Sequence, residues 1–285
     1  MTFTPVAVLS LLGAFTSVVA FLRRPRRGRT RVQLQFVISM LSWGMLWFAT
    51  GSQFAIDSMS NLMLHMIGHV LVMFCVPMGL IFSGTLRSWQ WLVPVAQRRR
   101  FQRWYFVRRS WRLPRFINHP ITGAAVMNVV MVTCHLASVF DYLMLHMWSM
   151  DWIMEPAFLL SGLFFFHFII SAPPRLRKGK IRWLLAMVAV TMLEMFILAM
   201  AMSIFTKSAW YSVTLHPQMV GMAGMTTSIS PASAFHQQQL AAAILWVCGD
   251  FWAVPCIVIL VRRLIKRDGS LLAALENQSS RFASA

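Results

Sequence analysis

Residues 61–83 read NLMLHMIGHVLVMFCVPMGLIFS. No Asp, Glu, Lys or Arg interrupts the stretch. It is long enough for a helix to cross the roughly 30 Å hydrocarbon core of a bilayer. Six more apolar stretches can be drawn around it, near 5–22, 32–50, 120–140, 152–172, 183–206 and 238–261. The chain is 58% hydrophobic and 12% charged, about half the charged fraction of an ordinary soluble domain. Together these features predict an all-α polytopic membrane protein. One domain over 1–268 holds a bundle of seven transmembrane helices, and a polar tail follows at 269–285.

The basic residues alternate between the loops. Arg23 to Arg31 follow the first span, nine arginines from Arg87 to Arg115 the third, Arg175 to Arg182 the fifth, and Arg262 to Arg281 the seventh. Twenty-five of the 26 Lys and Arg thus fall on one side, and Lys207 alone on the other. The positive-inside rule places the N-terminus outside and the C-terminus in the cytoplasm, as expected of a multi-pass protein of the plasma (inner) membrane. A net charge of +18 would suit a nucleic-acid binder if it were spread over a soluble domain. Confined to one set of loops, it points to anionic lipid headgroups as partners and not to nucleic acid. The loop at 84–118 mixes Trp89, Trp91, Trp104, Tyr105, Phe106 and Trp111 with its arginines, which predicts a basic interfacial helix on the cytoplasmic leaflet. The first span has no basic residue before it and no small-x-small cleavage site, so it reads as a retained helix and not a cleaved signal. Cys75, Cys134, Cys248 and Cys256 all lie inside spans without CxxC spacing, which indicates neither a disulfide framework nor a thiolate cluster.

With the chain oriented this way, His65, His69, His135, His146, His216 and His236 lie at or near the outer face, and only His119 and His167 toward the inner one. His65 and His69 project from one helix face about one turn, ~6 Å, apart. Met73 continues that stripe one turn deeper, and Met66 sits one residue off it. Imidazole with thioether is a donor set suited to copper, with thioether favouring Cu(I). No Glu follows the first His, so this is not the zinc-protease HExxH pattern. The plainer reading is a pair of packing histidines that share hydrogen bonds across the bundle.

Other polar groups reach the same depth. His135 lies near the end of the fourth span with Asp141 beyond it, Glu155 opens the fifth, and His236 precedes the seventh, followed by Gln237, Gln238 and Gln239. Polar side chains at membrane depth are costly, face protein or water, and mark function. The expected copper site has His65, His69 and His135 at its core, with Met66, Met73 and His236 as additional ligands. Asp141 and Glu155 are the expected partners of the second ring nitrogens. Glu194 and Asp250 lie near mid-membrane, where structural bonding and a proton or ion path both fit; His167, in an aromatic run, reads as packing. No Ser-His-Asp set or Gly-rich phosphate loop appears, so no catalytic residue is assigned and no enzyme activity is expected.

Three segments together resemble the CtaG-type cytochrome c oxidase assembly proteins. They are His65-Met66-Ile67-Gly68-His69 running into Pro77 and Gly79; His135 to Asp141, leading to Glu155 and Ser161-Gly162; and Gln238-Gln239 running to Trp246. The likeness covers roughly residues 35–260. It implies a polytopic assembly factor for a haem–copper oxidase, handling copper at the outer face and meeting an oxidase subunit or respiratory complex. The family often carries Glu-His where this chain has Glu155-Pro156, and an acid before the final Gln pair where it has His236-Gln237. Two other functions use the same residues: a copper transporter with Glu194, Asp250 and His167 as deeper steps, and a membrane b-type cytochrome with a bis-His haem, the less favoured cofactor. No lysine lies inside a span, which excludes the retinal Schiff base of a seven-helix rhodopsin. The charge partition predicts that a reporter fused after Ala285, active only outside the membrane, stays silent; activity there overturns the orientation.

Overall fold

The computed structural model describes residues 4–23, 29–97, 100, 119–171, 181–211 and 230–269. Among them the regular structure is entirely helical. The principal helices are α1 (Pro5–Leu22), α2 (Arg29–Gly51), α3 (Leu62–Ser83), α4 (Pro120–His135), α5 (Ala137–Leu145), α6 (Met150–Ile170), α7 (Trp183–Phe205) and α8 (Pro231–Asp268). Six are long and apolar enough to cross a membrane, and α4 with α5 makes a seventh if the bent pair is one span. The chain is a multi-pass membrane protein.

Two spans differ from the sequence reading. The fourth, expected over 120–140, is not one helix: α4 stops at His135, Leu136 is extended (φ −62°, ψ 130°), and α5 leaves at 74°. Side chains take up the carbonyls of that last turn. The His135 ring meets the Met131 carbonyl one turn back, and the Tyr211 hydroxyl donates to the His135 carbonyl, a group the helix end leaves open. The seventh span begins earlier and ends later than expected, and its 38 residues extend roughly 57 Å. Within the expected loop at 51–60, Ser52 caps a short helix, Gln53–Ser58, by accepting from the Phe54 N–H at 3.1 Å. Of the expected interfacial helix, Thr85–Ser88 and Trp89–Trp91 are helical; residues 101–118 lie outside the described residues, as do 212–229 and the tail beyond Gly269.

The helices form a ring with an appended hairpin. Around the ring α3 packs on α6, α6 on α4, α4 on α7, α7 on α8, and α8 returns to α3; α2 lies against the outside of α3 and carries α1. Trp252 of α8 fills the middle of the ring. It stacks on Phe74 of α3 at 5.2 Å, meets Phe165 of α6 edge-on at 5.5 Å, and donates its indole N–H to the Met195 sulfur of α7 at 3.3 Å. On the hairpin side the Trp43 indole donates to Ser17 at 3.0 Å. At the arginine-rich end, Arg263 of α8 donates to the Ile169 and Ile170 carbonyls that close α6.

Two prolines shape the ring. Pro77 has no N–H to give the carbonyl of Met73, four residues back. The turn before it widens to a π-type turn over Leu71–Cys75, where the Val76 N–H reaches the Leu71 carbonyl. Pro156 is preceded by the same feature over Met150–Met154, with the Glu155 N–H on the Met150 carbonyl. Such turns are the expected response to a proline inside a helix. At the widened turn α6 comes very close to α3. A methyl group at Gly162 would collide with the Met73 carbonyl oxygen and stand 2.7 Å from a Pro77 ring carbon. Gly162→Val is expected to destabilise the protein by about 1–3 kcal/mol, the usual cost of overpacking, seen as a lowered melting temperature in detergent.

Candidate metal centre

Asn61 starts α3 by accepting from the Met63 and Leu64 N–H groups at 3.0 and 3.2 Å. This fixes the helix so that its second and third turns present His65 and His69 inward. Their ring centroids are 4.2 Å apart, edge to face. His135, the last residue of α4, brings its ring to 5.6 Å from His69. Phe140 of α5 stands 5.4 Å from His65, and Phe158 of α6 stands 4.6 Å from His69. Two helices, α3 and α4, therefore deliver three imidazoles into one aromatic-walled space. His65 and His135 are each only 2% exposed.

The rings do not hydrogen-bond to each other. Nε2 of His65, both nitrogens of His69 and Nε2 of His135 are buried without a partner. Leaving such atoms unmet costs about 1–3 kcal/mol each, so packing histidines with shared hydrogen bonds do not describe this cluster. His135 is further specified. Its Nδ1 lies 2.7 Å from the Met131 carbonyl. A carbonyl only accepts, so Nδ1 carries the proton and Nε2 keeps a free lone pair. Ligating histidines are held in this way, often by a backbone carbonyl. Here that partner is Met131, not Asp141 or Glu155. As the rings stand, no group of three or more His, Cys, Asp or Glu among the described residues is at coordinating geometry.

The remaining predicted residues are spread around the centre. Met66 and Met73 are buried in the same core. His236 is exposed on the second turn of α8, Asp141 is half-buried on α5, and Glu155 is buried in α6. Deeper in the bundle His167 and Asp250 are exposed, whereas both carboxylate oxygens of half-buried Glu194 are buried without a partner. His119 is a helix cap, its Nδ1 accepting from the Ile121 N–H at 3.3 Å. His146 is exposed with Nδ1 2.8 Å from the Tyr142 carbonyl, and His216 lies outside the described residues.

The family model described as Cytochrome c oxidase caa3 assembly factor (Caa3_CtaG) matches residues 14–267. The chain belongs to the CtaG family. Neither a curated protein nor a solved structure matches it significantly. The match takes in all three clustered histidines and most of the described helical chain. CtaG proteins are assembly factors for cytochrome c oxidase, which implies interaction with that oxidase.

Of two residues that position this CtaG site, Tyr211 carried no role in the sequence reading and Gln238 entered it only within the Gln238-Gln239 motif. Tyr211, just past α7, is fully buried; its hydroxyl donates to the His135 carbonyl at 3.3 Å and its ring lies 4.1 Å from Phe140. The aromatic pair Trp210-Tyr211 at a span end was the available clue. Gln238 is 1% exposed; its amide N–H groups reach the Met202 carbonyl at 2.7 Å and the Thr206 hydroxyl at 3.3 Å, and its oxygen accepts from the Trp210 N–H at 2.5 Å. It ties α8 to the end of α7 and to the segment bearing Tyr211. Gln238→Leu leaves the Trp210 N–H and the Met202 carbonyl with lost partners and is expected to cost about 1–3 kcal/mol, against about 1 kcal/mol for Tyr211→Phe. Thermal unfolding of the two variants checks that order.

Proposed function

We propose that this protein handles copper for a haem–copper cytochrome c oxidase, holding one ion on His65, His69 and His135 near the outer face of the plasma membrane. The observation that carries the reading is the set of buried ring nitrogens without partners, gathered from α3 and α4. Two imidazoles bonded to one ion at roughly 2 Å keep their centroids within about 6 Å. Separations of 4.2 and 5.6 Å leave only ring rotations to bring lone pairs onto one point. The Nδ1 proton of His135, held by Met131, leaves Nε2 free as the donor atom. Met66 and Met73 offer thioethers from the same core, a softer donor that suits Cu(I), and His236 is a further candidate ligand.

Sidedness supports the placement. The histidine cluster lies at the end of the bundle opposite the arginines, the end that the charge partition assigns to the exterior. Copper here is cargo for the oxidase, so the protein needs to bind and release it and to perform no reaction on it. Transport through the membrane would call for inward-facing donors below the cluster, where His167 and Asp250 are exposed. Purified full-length protein is expected to carry about one copper per chain by metal analysis, and His65→Ala/His69→Ala to lose most of it while keeping its helical circular dichroism. Equal copper in the native and variant proteins sinks the proposal.

A further inference from the structure

Beside the histidines lies a second group of unmet polar atoms with different chemistry. The π-type turn forced by Pro156 sets Asp151 and Glu155 four residues apart over Met150–Met154, which brings both carboxylates to nearly the same side of α6. Glu155 is 8% exposed, and its Oε2 is fully buried without a partner; Oδ1 of Asp151 is likewise buried and unmet. Thr4, itself 6% exposed, places its hydroxyl oxygen beside the Glu155 carboxyl. The same hydroxyl caps α1 by accepting from the Ala7 N–H at 3.1 Å, and it donates to the Thr50 carbonyl at 3.4 Å. Among the described residues, no Lys or Arg pairs with either carboxylate.

We propose that Asp151, Glu155 and Thr4 form a site for a divalent cation of the oxygen-seeking class, separate from the histidine cluster. Two adjacent carboxylates with buried, unpartnered oxygens are costly unless they take up a proton or a positive charge joins them. The donors present are carboxylate and hydroxyl oxygens. These select hard ions such as Mg2+, Ca2+ and Mn2+, where the imidazoles one turn deeper select copper. Glu155 precedes by one turn Phe158, whose ring lies 4.6 Å from His69 and 6.4 Å from His135. An ion there ties α6 to the start of α1 and, through Thr4 and Thr50, to the end of α2. The hairpin is thereby fastened to the ring directly above the histidines.

Electron paramagnetic resonance of Mn2+ titrated into the purified full-length protein tests this, because bound Mn2+ loses the sharp signal of the free ion. One Mn2+ per chain is expected, with a dissociation constant on the order of 10⁻⁴ to 10⁻³ M as in other moderate oxygen sites, and with displacement by Ca2+. Asp151→Asn/Glu155→Gln should weaken binding at least tenfold, while His65→Ala/His69→Ala leaves it unchanged. Ca2+ should raise the melting temperature of the native protein and not that of the Asp151→Asn/Glu155→Gln variant, whose melting without divalent ions also shows whether it folds. No Mn2+ binding up to about 10 mM, or equal binding in a folded carboxylate variant, overturns the proposal. Loss of Mn2+ in the histidine variant overturns the separateness of the two sites. Copper analysis of the same samples keeps the outcomes apart, since the copper reading fails on the histidine variant alone.

Discussion

The histidine end of this molecule depends on how closely α6 lies against α3. That closeness comes from three residues acting together. Pro77 withholds the N–H that the Met73 carbonyl would use, the turn before it widens, and Gly162 alone leaves room for the exposed carbonyl to approach α6. A side chain at position 162 would push the helices apart. Phe158, one turn earlier on α6, would then leave its place against His69 and His135. A contact of backbone on backbone in the middle of the membrane thus sets the walls of a site one to two turns away.

The same end of the bundle is where the protein departs most from satisfied packing. Farther in, Trp252 has aromatic neighbours on two helices and a sulfur for its N–H on a third. At the arginine-rich end, Arg263 closes the last carbonyls of α6. Around the histidines, by contrast, ring nitrogens and carboxylate oxygens are buried without partners. Natural proteins accept such violations at functional sites and offset them elsewhere in the fold. The offset here includes the linked hydrogen bonds of Gln238 and Tyr211, which hold the end of α7 against α8 and against the broken end of α4.

Membership in the CtaG family gives the unmet nitrogens a context, since an oxidase assembly factor must meet its client. As the rings stand, their lone pairs do not converge on one point. The helix break at Leu136 adds to this. It ends α4 directly at His135, so the third imidazole sits at a hinge between a membrane span and a helix lying across it. The first two imidazoles ride on a continuous helix.

Much of this was legible along the chain, because it follows from local rules. Span length, the partition of arginines and the i, i+4 placement of His65 and His69 on one face each require only a helix and a bilayer. The convergence of His135 on that pair was an expectation of depth alone, and depth does not say which helices are neighbours. That was decided by the ring order, in which α6 and α8 both touch α3 and α4 lies beyond α6. The break at Leu136 also escaped the hydropathy pattern. Residues 120–140 are mostly apolar, and the His135 carbonyl left open at the break is met by a hydroxyl from Tyr211, 76 positions away. Gln238 and Tyr211 belong to the same class. Their roles are contacts between distant segments, and no periodicity records which atoms will meet once the helices have packed.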